Sequence, residues 1–158
     1  MKRSPICAEM VKMFEGLKLC PYRDSVGVLT IGYGHTRNPG EGYITKEEAE
    51  KLLEDDLRYF EGHVVFLLQD MGGDVPSFMY DALISFAFNL GASALEHSTL
   101  LKKFKEGDNR GAAAEFSRWV YAGGKPLPGL IKRRRAEAVR FLGGDFPLVA
   151  SCYHGEVR

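Results

Sequence analysis

Two carboxylic acids and one hydroxyl stand close together near the start of the chain: Glu15, Asp24 and Thr30. Glu15 has Phe14, Leu17 and Leu19 close by in sequence, and a carboxyl among apolar groups has its charged form penalised. That is the profile of a general acid that stays protonated near neutral pH. Asp24 lies between Arg23 and Ser25, a polar setting that keeps a carboxylate ionised. Thr30 follows a glycine turn, from which a strand hydroxyl can fold back toward Asp24. Glycosidic hydrolysis uses two carboxyls in unlike settings. One protonates the leaving oxygen. The other deprotonates a water or stabilises positive charge at the anomeric carbon. Spacing alone leaves a second reading open, because two acids and a strand threonine also describe an ordinary surface.

These residues need elements to hold them. Met10, Phe14 and Leu17 share one helical face, with Ile6 extending it, and predict a first helix over 5–17. Pro5 suits its first turn and Pro21 prevents its continuation, so Glu15 falls in its last turn. The next stretch is β-branched, aromatic and glycine-rich, which predicts a small antiparallel sheet over roughly 23–44. Thr45 and Glu48 form a capping box that opens a long helix, 46–69, with Leu52, Leu53, Leu57 and Phe60 as its apolar stripe. The remainder reads as helical. Residues 77–91 are apolar nearly all round apart from Asp81 and predict a buried central helix. Further helices are expected from Ser98 to Phe104, from Ala112 to Val120 with Phe116 and Trp119 inward, and from Leu130 to Leu142 as the last. The fold class is α+β. A single domain, 1–158, would comprise a small N-terminal lobe with a short antiparallel sheet (about 1–45), a linking helix (46–69) and a larger all-helical lobe (70–158). Two lobes joined by one helix imply a cleft.

Composition narrows the partners. The chain has 158 residues, 45% hydrophobic and 27% charged, as an ordinary folded protein does. Its 21 basic and 21 acidic residues cancel, so nothing draws it over long range to nucleic acid or membrane. No apolar run is long enough to span a bilayer, and the N-terminus lacks the apolar core of a signal peptide, which predicts synthesis in the cytoplasm. Cys7, Cys20 and Cys152 make no CxxC pair, so neither zinc nor another cofactor is expected. They read as free thiols, with a Cys7–Cys152 clasp as the alternative. The run Lys132-Arg133-Arg134-Arg135, with Arg140 beyond, reads either as a solvated helix face or as a patch attracted to an anionic cell wall; some of its residues must point inward at helical spacing, as snorkelling stems, and a short run without aromatic interleaving gives nucleic-acid binding little support. Trp119 and Tyr121 stay ambiguous between core and surface.

The segment Glu15-Gly16-Leu17, Tyr22-Arg23-Asp24 and Gly27-Val28-Leu29-Thr30-Ile31-Gly32-Tyr33-Gly34-His35 closely resembles, without gaps, the catalytic segment of the phage-type lysozymes. These are the endolysins related to phage T4 lysozyme, glycoside hydrolase family 24. The resemblance extends over about residues 5–144, through ITKEEAEKLLEDD, FNLG and EFSRWVYAGGKPLPGLIKRR; the tail FPLVASCYHGEVR resembles nothing in that pattern. It implies a lysozyme-like fold and endo-hydrolysis of the β-1,4 bond between N-acetylmuramic acid and N-acetylglucosamine in bacterial peptidoglycan. It further implies Glu15 as proton donor, Asp24 as second carboxylate and Thr30 on the water side. Thr36, Phe88 and Asn89 fall where family members touch sugar, although Phe88 also suits the core. His35 looks like the family histidine that pairs with an aspartate of the linking helix, here Asp56. The expected protein is a monomer with no nucleic-acid partner and no stable membrane insertion. It would wait in the host cytoplasm for a separate membrane-permeabilising protein to release it. Two rival readings use the same fold: a lytic transglycosylase relying on Glu15 alone, and an inactive peptidoglycan-binding protein.

Overall fold

The structure, a computed structural model, describes residues 1–155. Helix α1 spans Pro5–Glu15; the Ser4 side chain caps it by accepting from the Ile6 N–H, and Pro5 stands in its first turn. Gly16, at φ +67°, ends it directly after Glu15. The acid therefore projects from the last helical residue, where the chain turns into the sheet.

Strand β1 (Lys18–Arg23) pairs antiparallel with β2 (Leu29–Gly32), in the register Lys18 with Gly32, Tyr22 with Thr30 and Arg23 with Leu29. The sheet thus starts five residues before the expected position, and residues after Gly32 leave it. Pro21 explains the difference. It lies in the irregular stretch between Lys18 and Tyr22, where a strand tolerates a residue without an N–H. Ile44 returns to the sheet through its N–H, which donates to the Leu19 carbonyl at 2.9 Å.

Helix α2 (Lys46–Leu67) opens on the expected capping box: Thr45 Oγ accepts from the Glu48 N–H while the Glu48 carboxylate accepts from the Thr45 N–H. Helix α3 (Ser77–Leu90) is buried from Met79 through Ala87 and packs against α1, α2 and the later α7 (Pro128–Phe141). It is the centre of the fold for the reason visible in its composition, an apolar surface on every side. Short helices α4 (Ala92–Glu96), α5 (Thr99–Lys105) and α6 (Asn109–Glu115) follow. Aromatic contacts knit this part together: Phe86 meets Phe116 edge-on at 5.8 Å, and Phe104 meets Phe141 at 5.1 Å.

The expected helix 112–120 is shorter than its apolar pattern suggests. It ends at Glu115, continues as one 3-10 turn through Arg118, and gives way to a hairpin of β3 (Tyr121–Ala122) and β4 (Lys125–Pro126). Gly123 and Gly124 both hold positive φ, +59° and +78°, the geometry of a primed two-residue turn that side-chain-bearing residues resist. Helix α7 is not the last. Asp145 caps α8 (Phe146–His154) by accepting from the Leu148 N–H, and α8 packs on α7 and α1. A second small core forms there from Met10, Ala136, Val149 and Cys152. Cys7 belongs to the main core instead, and all three cysteines are free thiols. No helix among the described residues is long and apolar enough to cross a membrane.

Candidate active site

Glu15, Asp24, Thr30, Thr36, Asp56, Phe88 and Asn89 line one cleft of about 330 Å³ between the sheet, α2 and the end of α3. Three larger depressions share no residue with it: two, of about 540 and 510 Å³, border the C-terminal end of α2, and one of about 370 Å³ lies between α6 and α7. Size does not single out this cleft; its two carboxyls and one hydroxyl do, and they make it the candidate site.

Each side chain is fixed by its local fold. Glu15 is one-fifth exposed, and its Oε1 accepts from Arg133 Nη1 at 2.6 Å. The setting read from Phe14, Leu17 and Leu19 is therefore incomplete: a guanidinium from α7, 118 residues away, faces the acid. The other oxygen, Oε2, passes over the backbone of Gly34, where a Cβ would stand only 2.6 Å from it. Glycine is required at 34 twice over, by that approach and by φ +72°.

Asp24 begins the β1–β2 turn, and its Oδ1 accepts from the N–H groups of Val26 (3.0 Å) and Val28 (2.8 Å). These two bonds set the carboxylate's angle, while no donor among the described residues reaches Oδ2. Thr30 is buried, and its hydroxyl donates to the Val28 carbonyl at 2.9 Å. Its proton being committed there, Oγ faces the cleft as an acceptor. Tyr22 lies beside both acids. Burial first, then the charges of Glu15 and Asp24, push its pKa above the ordinary phenol value.

His35 stands behind the cleft wall with Nδ1 2.7 Å from Asp56 Oδ2, and Arg37 Nη2 donates to Asp56 Oδ1 at 2.8 Å. The pair joins the chain after β2 to α2. Thr36 is exposed at the cleft rim. Phe88 is half-buried, packing against Phe60 at 5.5 Å while forming part of the cleft surface. Asn89 lies in the last turn of α3, and its Oδ1 accepts from Arg134 Nη2. Among the described residues, no cluster of histidine, cysteine and acidic side chains is arranged to hold a metal.

The basic run is split: part of it is a solvated face, and part turns inward as helical spacing requires, but into ion pairs rather than as snorkelling stems. Lys132 and Arg135 are exposed, but Arg133, Arg134 and Arg140 are buried in ion pairs. Trp119 is half-buried edge-on against Phe86, and Tyr121 is exposed. Arg133 is the site residue that sequence reasoning missed. Its helical spacing from Arg134 and Arg140 guaranteed that some of the run pointed inward, but nothing local named its partner.

Comparison with known proteins identifies the family. The family model for phage lysozyme matches residues 12–137. An endolysin of Acyrthosiphon pisum secondary endosymbiont phage 1 is 45% identical over 138 residues, 84% of this chain and 92% of that protein. An endolysin structure from Escherichia coli O157:H7 phage FAHEc1 superposes with a TM-score of 0.80 at 34% identity, covering 93% of this chain and 97% of that one. The muramidase domain of SpmX from Asticaccaulis excentricus superposes with a TM-score of 0.78 at 35% identity, covering 88% and 96%. The matched span runs from α1 through Glu15, Asp24 and Thr30 to Arg133 and Glu137 on α7, and on that ground the chain belongs to the phage lysozyme family.

Proposed function

We propose that this chain is an endo-acting muramidase, cutting the β-1,4 bond between N-acetylmuramic acid and N-acetylglucosamine with Glu15 as general acid. The observation that carries the reading is the convergence of Glu15, Asp24 and Thr30 on one cleft within a chain of the phage lysozyme family. Arg133 occupies Glu15 Oε1, so Oε2, over Gly34, is the oxygen that carries the proton to the glycosidic oxygen. The carboxylate left behind is stabilised by the guanidinium it already touches. Asp24 Oδ2 and Thr30 Oγ are both acceptors. A water giving one hydrogen to each keeps a lone pair for the anomeric carbon, and Asp24 then takes the water's proton. Thr36, Phe88 and Asn89 contact the sugars, Phe88 by its apolar face and Asn89 by its amide N–H. The His35–Asp56 pair holds the cleft wall to α2.

Glu15, Asp24 and Thr30 all come from one copy of the chain, which supports a monomeric enzyme. Before lysis the enzyme waits in the host cytoplasm, and a separate membrane-permeabilising protein gives it access to the wall. Digestion of purified peptidoglycan in isotopically labelled water, followed by mass spectrometry, tests the reaction. One labelled oxygen per cleaved bond and a reducing muramic end are expected. Anhydro-muramic ends without label would mean transglycosylation, and no release of fragments would mean a binding protein.

A further inference from the structure

Glu137 lies on α7 one helical turn beyond Arg133 and is completely buried. It touches no part of the cleft. Its Oε1 accepts from Ser85 Oγ at 2.7 Å and from Arg133 Nε at 3.3 Å, and its Oε2 accepts from Arg134 Nη1. Both arginines then reach forward from it. Arg133 gives Nη1 to Glu15 and Nη2 to the Ser85 carbonyl at 3.2 Å, with its guanidinium 4.7 Å from the centre of the Phe14 ring. Arg134 gives Nε to the Trp119 carbonyl at 3.0 Å and Nη2 to Asn89 Oδ1, against the ring of Phe86.

Buried charge of this kind is costly, and apolar side chains would fill the same space at no loss of stability. The arrangement does something that apolar packing cannot. It places one guanidinium on the acid Glu15 and one on the amide of Asn89, and fixes both from a single carboxylate. We infer that Glu137 is a positioning residue that sets the catalytic acid through Arg133 and the substrate-facing amide through Arg134; this rests on the muramidase reading of the cleft. The second arm has a chemical consequence. Arg134 can only donate, so it takes the Asn89 oxygen and turns the Asn89 NH2 group to the cleft. The substrate group met there must be an acceptor, as an acetamido or peptide carbonyl is.

Glu137→Gln keeps the volume and removes the charge, leaving two buried guanidiniums with Glu15 as their sole carboxylate. Steady-state kinetics on soluble peptidoglycan glycan fragments are the readout, with circular dichroism and melting to show folding. Displacing a reacting group by about 1 Å costs on the order of a hundredfold, so kcat should fall by ten- to a hundredfold in folded E137Q, with KM raised as well. Asn89→Asp separates the arms. It keeps an acceptor for Arg134 but has no N–H for the cleft, so KM should rise by about tenfold while kcat and melting hold, as for a lost hydrogen bond. Folded E137Q with wild-type kcat and KM overturns the inference, since a merely structural residue would lower melting alone. If E137Q does not fold, Ser85→Ala decides: it removes one hydrogen bond to Glu137, and a kcat unchanged at native melting overturns the inference. N89D with wild-type KM overturns the amide arm. An inactive wild type defeats the muramidase reading instead, and the inference with it.

Discussion

Replacing Gly34 by alanine should disable the acid without touching it chemically. An added Cβ would lie 2.6 Å from Glu15 Oε2 and 2.8 Å from its Cδ. Carbon atoms in contact prefer at least about 3.5 Å, so the carboxyl must retreat by about 0.7 Å. Arg133 grips the other oxygen at 2.6 Å and opposes a simple swing. A misplacement of about 1 Å costs on the order of a hundredfold in rate, so a kcat lower by about ten- to a hundredfold is expected for G34A. The left-handed backbone, φ +72°, adds a stability loss of about 1–2 kcal/mol. The control separates the two effects. Gly40 has nearly the same φ, +73°, with nothing within 4 Å of an added Cβ. Gly40→Ala should lose similar stability and keep its kcat. Wall-fragment kinetics below the melting range, paired with denaturant unfolding, measure both quantities. A G34A enzyme with wild-type kcat would refute the placement of Glu15 over Gly34, and so would equal losses of kcat in both variants.

Three further outcomes follow from the buried groups. Tyr22, isolated as the ultraviolet titration difference between wild type and Tyr22→Phe, should ionise above the ordinary phenol range, and Asp24→Asn should bring it down by removing one nearby negative charge. Because the folded pKa is the higher, this group's stabilising contribution is complete below the unfolded pKa and is lost as pH rises through the folded one; a Tyr22 titrating below the ordinary value would contradict this. Asp81→Ala leaves Arg140 buried without its carboxylate and strips Ser4 of its 2.8 Å backbone anchor, and denaturant unfolding should show a loss of about 3–5 kcal/mol. In native protein a thiol reagent should modify exposed Cys20 first, since burial pushes the thiols of Cys7 and Cys152 up, whereas unfolded protein should yield three thiols; a yield of one would mean a disulfide.

What the sequence revealed, and what it hid, divides by the range of the interaction. Glu15 at a helix end, the Thr45 capping box and the apolar α3 are all set by residues within a few positions, and each is readable locally. The β3–β4 hairpin lies just beyond the expected helix, around Gly123-Gly124, and its two-residue strands are too short to show an alternating pattern. Helix α8 carries a cap at Asp145 and a proline in its first turn, signals hidden by the absence of a familiar motif. Pro21 misplaced the sheet because a strand irregularity has no local signature. The arginines were a different case. Arg133 meets Glu15 across 118 positions and Arg140 meets Asp81 across 59, so only the folded chain identifies them as buried partners rather than a solvated face.

The most direct measurement is muralytic activity of wild type beside Glu15→Gln, with both shown to be folded. Gln keeps the size of Glu and can still meet Arg133 through its amide oxygen, but it has no acidic proton to give. Wild type should release reducing muramic ends from purified peptidoglycan, and E15Q should be slower by about a hundred- to ten-thousandfold, the range of a lost general acid. An E15Q enzyme as fast as wild type would contradict the assignment of the proton to Glu15.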